Sequence, residues 1–132
     1  MSTQWAAQFL VAAELERKNY TVSFTMGNHT PVADLMVGHP TGQQFWVDVK
    51  GLASPNAWWG KPKPDRRDLF YVLVLIGSQR QQDRFFILRQ ADFNNLIREY
   101  EESHPTAKKL GGFNWRAPHR FENLWETLPE WQ

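Results

Sequence analysis

Apolar and polar residues alternate from residue 20 to residue 25. Tyr20, Val22 and Phe24 fall on one side, Thr21, Ser23 and Thr25 on the other, which predicts a strand. Ahead of it, an Ala- and Leu-rich stretch over residues 4–18 predicts a helix, with Ser2 or Thr3 as its cap and Asn19 suited to a left-handed stop. Residues 27–31 read as a turn, residues 33–37 as a second strand, and residues 38–42 as a tight connection into a third strand over residues 44–50. A long polar stretch over residues 51–68 carries prolines and the adjacent Trp58 and Trp59, and stretches of that length inside a compact domain tend to be functional. Residues 70–76 are continuously apolar, as in a strand covered on both faces. A turn over residues 77–83 leads to a strand over residues 84–88. A helix over residues 91–102 then follows, with Phe93, Leu96, Ile97 and Tyr100 on one stripe. Phe121, Leu124, Trp125 and Leu128 sit at helical spacing near the end. This order predicts an α/β protein with a mixed β-sheet of about five strands flanked by helices.

The 132 residues suit one domain spanning residues 1–132, and 42% hydrophobic residues supply its core. A net charge of +1 neither supports nor excludes a nucleic-acid partner, because phosphate binding needs a local basic surface rather than a basic total. Cysteine is absent, which removes disulfides, thiolate zinc sites and cysteine nucleophiles together. Any metal must then rely on oxygen or imidazole ligands, which favours Mg²⁺ or Mn²⁺. The start has no basic segment leading into a long apolar run, so no signal peptide is expected. The longest apolar run, residues 69–77, is about half the length of a membrane-crossing helix, so no membrane partner is expected and the default location is cytoplasmic.

The residues with chemical promise are Asp34, Asp48, Lys50 and Glu14. In the third strand, alternation puts Phe45, Val47 and Val49 on one face and Trp46, Asp48 and Lys50 on the other. If the 38–42 turn pairs the two strands, Asp34 approaches Asp48. Two carboxylates held together need a cation or a shared proton between them. A hard cation there could polarise a phosphoryl oxygen, with Lys50 orienting the attacking water or neutralising developing charge. Glu14 shares a helix face with Ala7, Leu10 and Val11, the place expected of an inward-facing acid; Glu16 is its rival. Each residue alone has an ordinary reading as a solvated surface group; their order along the chain is what points to phosphodiester hydrolysis.

Residues 12–20 (AAELERKNY), 32–37 (VADLMV) and 46–51 (WVDVKG), with the strand at 68–74 and the strand–helix segment at 84–97, resemble the PD-(D/E)XK nuclease superfamily. The likeness is to its small restriction-endonuclease-like and Holliday-junction-resolvase-like domains, and it covers about residues 5–97. It implies Asp34, Asp48 and the backbone carbonyl of Val49 as metal ligands, Lys50 as the base or charge stabiliser, and Glu14 as an aid to metal or water positioning. The cofactor implied is Mg²⁺ or Mn²⁺ and the substrate nucleic acid, with DNA favoured. A homodimer would be in keeping, since many such enzymes cut two strands by pairing subunits. Pro31 stands two residues away from a direct Pro–Asp pair with Asp34.

Lys61, Lys63, Arg66 and Arg67 form a basic run beside Trp58, a mixture suited to tracking phosphates and stacking bases. Trp59 is expected to fold back onto the core. Lys108, Lys109, Arg116, His119 and Arg120 form a second basic cluster, read as a helix surface. The competing functional reading is a nuclease-like module that binds nucleic acid or a protein without cutting.

Overall fold

The computed structural model describes residues 1–25, 33–105 and 111–129. Helix α1 (Thr3–Arg17) starts at Ser2, whose hydroxyl accepts from the Trp5 N–H, and stops where Asn19 takes a positive φ of 69°. Strands β1 (Thr21–Phe24), β2 (Leu35–Gly38) and β3 (Gln44–Leu52) form an antiparallel meander, with Gly42 at φ 94° in the β2–β3 turn. A short strand β4 (Ala57–Trp58) follows, then β5 (Leu69–Leu75), which pairs parallel with β3, and β6 (Arg84–Arg89), antiparallel to β5. Helix α2 (Gln90–Ser103) continues directly from β6, and β7 (Phe113–Asn114) pairs with β4 in a separate two-stranded ribbon. The main sheet is mixed, five-stranded and ordered β1-β2-β3-β5-β6. The turn expected at residues 27–31, with His29 and Pro31, lies outside the described residues, as do Lys108 and Lys109.

The sheet separates two apolar layers. On one face Ala7, Val11 and Leu15 of α1 pack on Phe45, Val47, Val49, Val72 and Val74. On the other, Phe93, Leu96 and Ile97 of α2 pack with Trp58, Tyr71, Leu73, Phe86 and Phe113. β5 lies between two strands and under both layers, which is why its sequence is unbroken apolar rather than alternating. No described helix is long and apolar enough to cross a membrane.

The helical spacing near the end does not produce a helix. Residues 119–121 and 125–127 form two short 3₁₀ turns, separated by Asn123 at φ 56°. The Asn123 N–H is drawn to the Phe85 carbonyl at 2.9 Å, and Glu122 bridges to Phe86. The segment thus spends its backbone bonds on covering the β6 edge, while Phe121, Trp125 and Leu128 still bury the apolar positions.

The end of β3 passes close beneath the start of α1. A Cβ on Gly51 would lie 2.6 Å from the Ala7 Cβ and 3.2 Å from the Thr3 carbonyl oxygen. Neither neighbour is the end of a flexible side chain. Gly51→Ala is expected to destabilise the fold by about 1–3 kcal/mol through overpacking. A urea melt checks this; an unchanged midpoint would contradict the close helix–strand contact.

Candidate functional site

The β2–β3 register pairs Leu35 with Val47 and Met36 with Trp46. Continued one residue beyond β2, it sets Asp34 opposite Asp48, on the sheet face that α2 covers. Asp34 is anchored there: its Oδ2 accepts the Val49 N–H at 2.8 Å, and its carbonyl accepts the Thr25 N–H at 3.0 Å. Asp48 interacts with it directly, side chain to side chain. Two cations approach the outer oxygen of Asp48, with Lys50 Nζ at 3.8 Å and Lys63 Nζ at 3.9 Å from Oδ2. The Lys50 ammonium also lies 5.9 Å from the Tyr71 ring and 5.8 Å from the Phe93 ring, which are themselves stacked at 4.0 Å. Aromatic faces favour a cation above them, so the ring pair holds Lys50 on the Asp48 side.

Burial and the neighbouring Asp48 carboxylate push the Asp34 pKa up to about 7, against the opposing pull of the Val49 N–H and Lys50. Burial, with Asp48 adding to it, also raises the pKa of Tyr71, whose hydroxyl has no partner among the described residues. Raising a carboxyl pKa in the folded state means the folded chain holds a proton that the unfolded chain has already released. Stability from this source is therefore fully present below the ordinary value of 3.8 and lost as pH rises through about 7. In denaturant melts without metal, the wild type is expected to lose stability across that window relative to Asp48→Asn, in which the like-charge neighbour is gone. Parallel profiles for the two proteins would contradict the coupling of the acids.

A residue not anticipated from the sequence completes the cluster. Gln4, in the first turn of α1, donates from Nε2 to the Val49 carbonyl at 2.8 Å and approaches Asp34 Oδ2 at 3.5 Å. Its amide thus lies between two of the three expected metal-ligand groups. The only signal in the sequence was its place near the helix start, above the Gly51 contact.

Glu14 is not part of this site, which corrects the role expected for it. It stands ten residues further along α1 than Gln4, about 15 Å by helix rise, and pairs with Lys18 at 2.9 Å and Arg17 at 3.2 Å. Its rival Glu16 accepts the Val22 N–H at 2.9 Å and is likewise at the far end. The tryptophan assignments also reverse. Trp58 is 1% exposed, with Nε1 donating to the Trp115 carbonyl, so it cannot stack on bases; Trp59 is the exposed one, at 55%.

The basic run divides. Lys63 reaches Asp48, whereas Arg66 is held by Asp68 in a two-pronged ion pair at 2.8 and 2.9 Å. Lys61 and Arg67 are exposed and form no ion pair among the described residues. In the second cluster, Arg120 faces Glu99 at 3.8 Å and Arg116 stacks over Trp115. Two further residues matter that no sequence motif marks, the buried Gln90 and Asn94 of α2, which bond the backbone of Arg66 and Lys63. Polar residues at the positions of an apolar helix stripe were the available signal.

Among the described residues, no group of three or more His, Asp or Glu side chains is placed to hold a metal ion. The oxygens gathered around the Gln4 amide are those of Asp34 and the Val49 carbonyl, with the Asp48 carboxylate beside Asp34. No family model, curated protein or solved structure matches the chain.

Proposed function

We propose that the chain is a metal-dependent nuclease that hydrolyses phosphodiester bonds of nucleic acid, with DNA as the favoured substrate, and that its fold is restriction-endonuclease-like. The observation that carries the reading is the meeting of Asp34 and Asp48, with the Val49 carbonyl joined to Asp34 through the Gln4 amide and Lys50 Nζ 3.8 Å from Asp48. The sheet order, the parallel β3–β5 step and a helix packed on each face support the fold assignment.

The donor chemistry suits a hard divalent cation. Two carboxylates that repel each other, one held neutral to about pH 7, gain most from a cation that lets both ionise. Asp34, Asp48 and the Val49 carbonyl would hold Mg²⁺ or Mn²⁺, with waters filling the remaining positions. Bound there, the ion supplies Lewis-acid polarisation of a phosphoryl oxygen and a lowered pKa for a bound water. To act as a ligand Asp34 would have to give up the proton it holds up to about pH 7, so affinity for the ion is expected to fall below that pH. The Gln4 amide, which bonds the Val49 carbonyl at 2.8 Å, would have to turn away for that oxygen to serve as a ligand. Lys50, held over the Tyr71–Phe93 rings, sets a positive charge beside the reacting phosphate. Lys63 offers a second positive charge from the segment between β4 and β5.

The test incubates the purified chain with labelled DNA duplexes, branched DNA and single strands in Mg²⁺ or Mn²⁺, with EDTA as control. Cleavage that needs the metal supports the proposal. Binding that weakens steeply with salt, without cleavage of any form, supports the non-cutting module instead.

A further inference from the structure

Residues 60–68 cross the α2 face under tight control. Asn94 accepts the Lys63 N–H at 3.2 Å and donates to the Lys63 carbonyl at 2.8 Å. One turn earlier on α2, Gln90 Oε1 accepts the Arg66 N–H at 2.8 Å. Both amides are almost wholly enclosed, at 4% and 1% exposure. Four residues of helix rise about 6 Å. The segment therefore runs along one turn of α2, from Lys63 beside Asp48 to Arg66 at the helix start.

At that start lies a cleft of about 320 Å³ lined by Asp65, Arg66, Arg67, Arg89, Gln90 and Ala91. The helix contributes the positive end of its dipole, and its N-cap, Arg89, has a side chain that can only donate. Gln90 adds an independent observation. Its Oε1 must face the Arg66 N–H, because a backbone donor needs an acceptor, and this fixes the amide's orientation. Nε2 is then left buried without a partner among the described residues, a donor awaiting an acceptor. Arg67 and Arg89 form no ion pair among the described residues, while Arg66 is taken up by Asp68. Of the nearby acids, Asp92 accepts the Arg89 N–H at 3.3 Å and Asp65 is exposed.

We infer that this cleft is a second phosphate subsite, which holds one backbone phosphodiester of a DNA strand about one turn of α2 away from the Lys63–Asp48 contact. Arg67 and Arg89 supply the charge, and the Gln90 amide and the start of α2 supply neutral donors. The inference takes its ligand from the nuclease reading, but its test is separable from cleavage. The probe is a short fluorescein-labelled DNA duplex, titrated by anisotropy at several salt concentrations against Asp48→Asn protein, which isolates binding from cutting. Adding Arg67→Gln and Arg89→Gln is expected to weaken binding about tenfold, irrespective of sequence, and to make the slope of log K against log salt shallower by about one. Gln90→Glu, which keeps an acceptor for Arg66 while placing negative charge in the cleft, is expected to weaken binding in the same way. Unchanged affinity and slope in the double-arginine variant overturn the subsite. If the wild type still cuts DNA with Mg²⁺, the nuclease reading stands without it. Arginine-dependent binding by a chain that never cuts keeps the subsite and removes the nuclease. Failure of the Asp48→Asn protein to bind the duplex at all overturns the inference.

Discussion

Asp48→Asn is expected to abolish Mg²⁺-dependent cleavage, and Lys50→Ala to reduce it by about a thousandfold, the scale of losing a group aimed at developing charge in an enclosed site. Neither change should unfold the protein. Asp48 contributes to no hydrophobic layer, and replacing it removes a like-charge neighbour of Asp34. Lys50 leaves behind two aromatic rings that still stack on each other. The measurement is initial cleavage rate at saturating metal, with a denaturant melt of each variant alongside. The melt carries a second readout. In the wild type, Mg²⁺ at a hundredfold over its dissociation constant should stabilise by about 2.7 kcal/mol, and Asp48→Asn should erase that gain. Lys50→Ala should keep most of it, since Lys50 is not among the ligands. A Lys50→Ala protein that cuts as fast as the wild type would remove the base from the scheme, and a folded Asp48→Asn protein that cuts would remove the metal.

Trp58→Ala should cost about 3–5 kcal/mol of stability, as large aromatic truncations in cores do. The side chain fills the α2 layer against Phe86 at 6.2 Å and ties β4 to the Trp115 carbonyl through Nε1. Truncation opens a cavity and leaves a buried carbonyl without its donor. Trp59→Ala, next along the chain but exposed, should stay within about 0.5 kcal/mol. The pair of urea melts separates a structural tryptophan from a surface one. Equal midpoints for Trp58→Ala and wild type would return Trp58 to the binding surface.

The sequence order of strands and helices was readable because their periods are clear: alternation along β1 and β3, an unbroken apolar run in β5, an apolar stripe on α2. Asp48 and Lys50 on one face of β3 follow from alternation alone, and Asp34 opposite Asp48 follows from a hairpin with a short turn. Glu14 failed because helix phase says which face a residue occupies but not which end of the helix overlies the site. That depends on where β3 runs beneath α1, fixed by the Gly51–Ala7 contact. Gln4 was invisible for the same reason. The assignment of Trp58 to the binding surface and Trp59 to the core fails because the choice rests on β4 pairing with β7, more than fifty residues away. The terminal 3₁₀ turns show the same limit. Spacing located Phe121, Trp125 and Leu128 in the core, while the backbone followed the open edge of β6 rather than the spacing.

Crystals soaked in Mn²⁺ and measured at the manganese edge offer the most direct test of whether Asp34, Asp48 and the Val49 carbonyl are one ligand set. The expected result is a single anomalous peak about 2.1 Å from an oxygen of each, with the Gln4 amide withdrawn from the carbonyl. No peak between the two carboxylates, or a Gln4 amide still bonded to Val49 while manganese sits elsewhere, would contradict it.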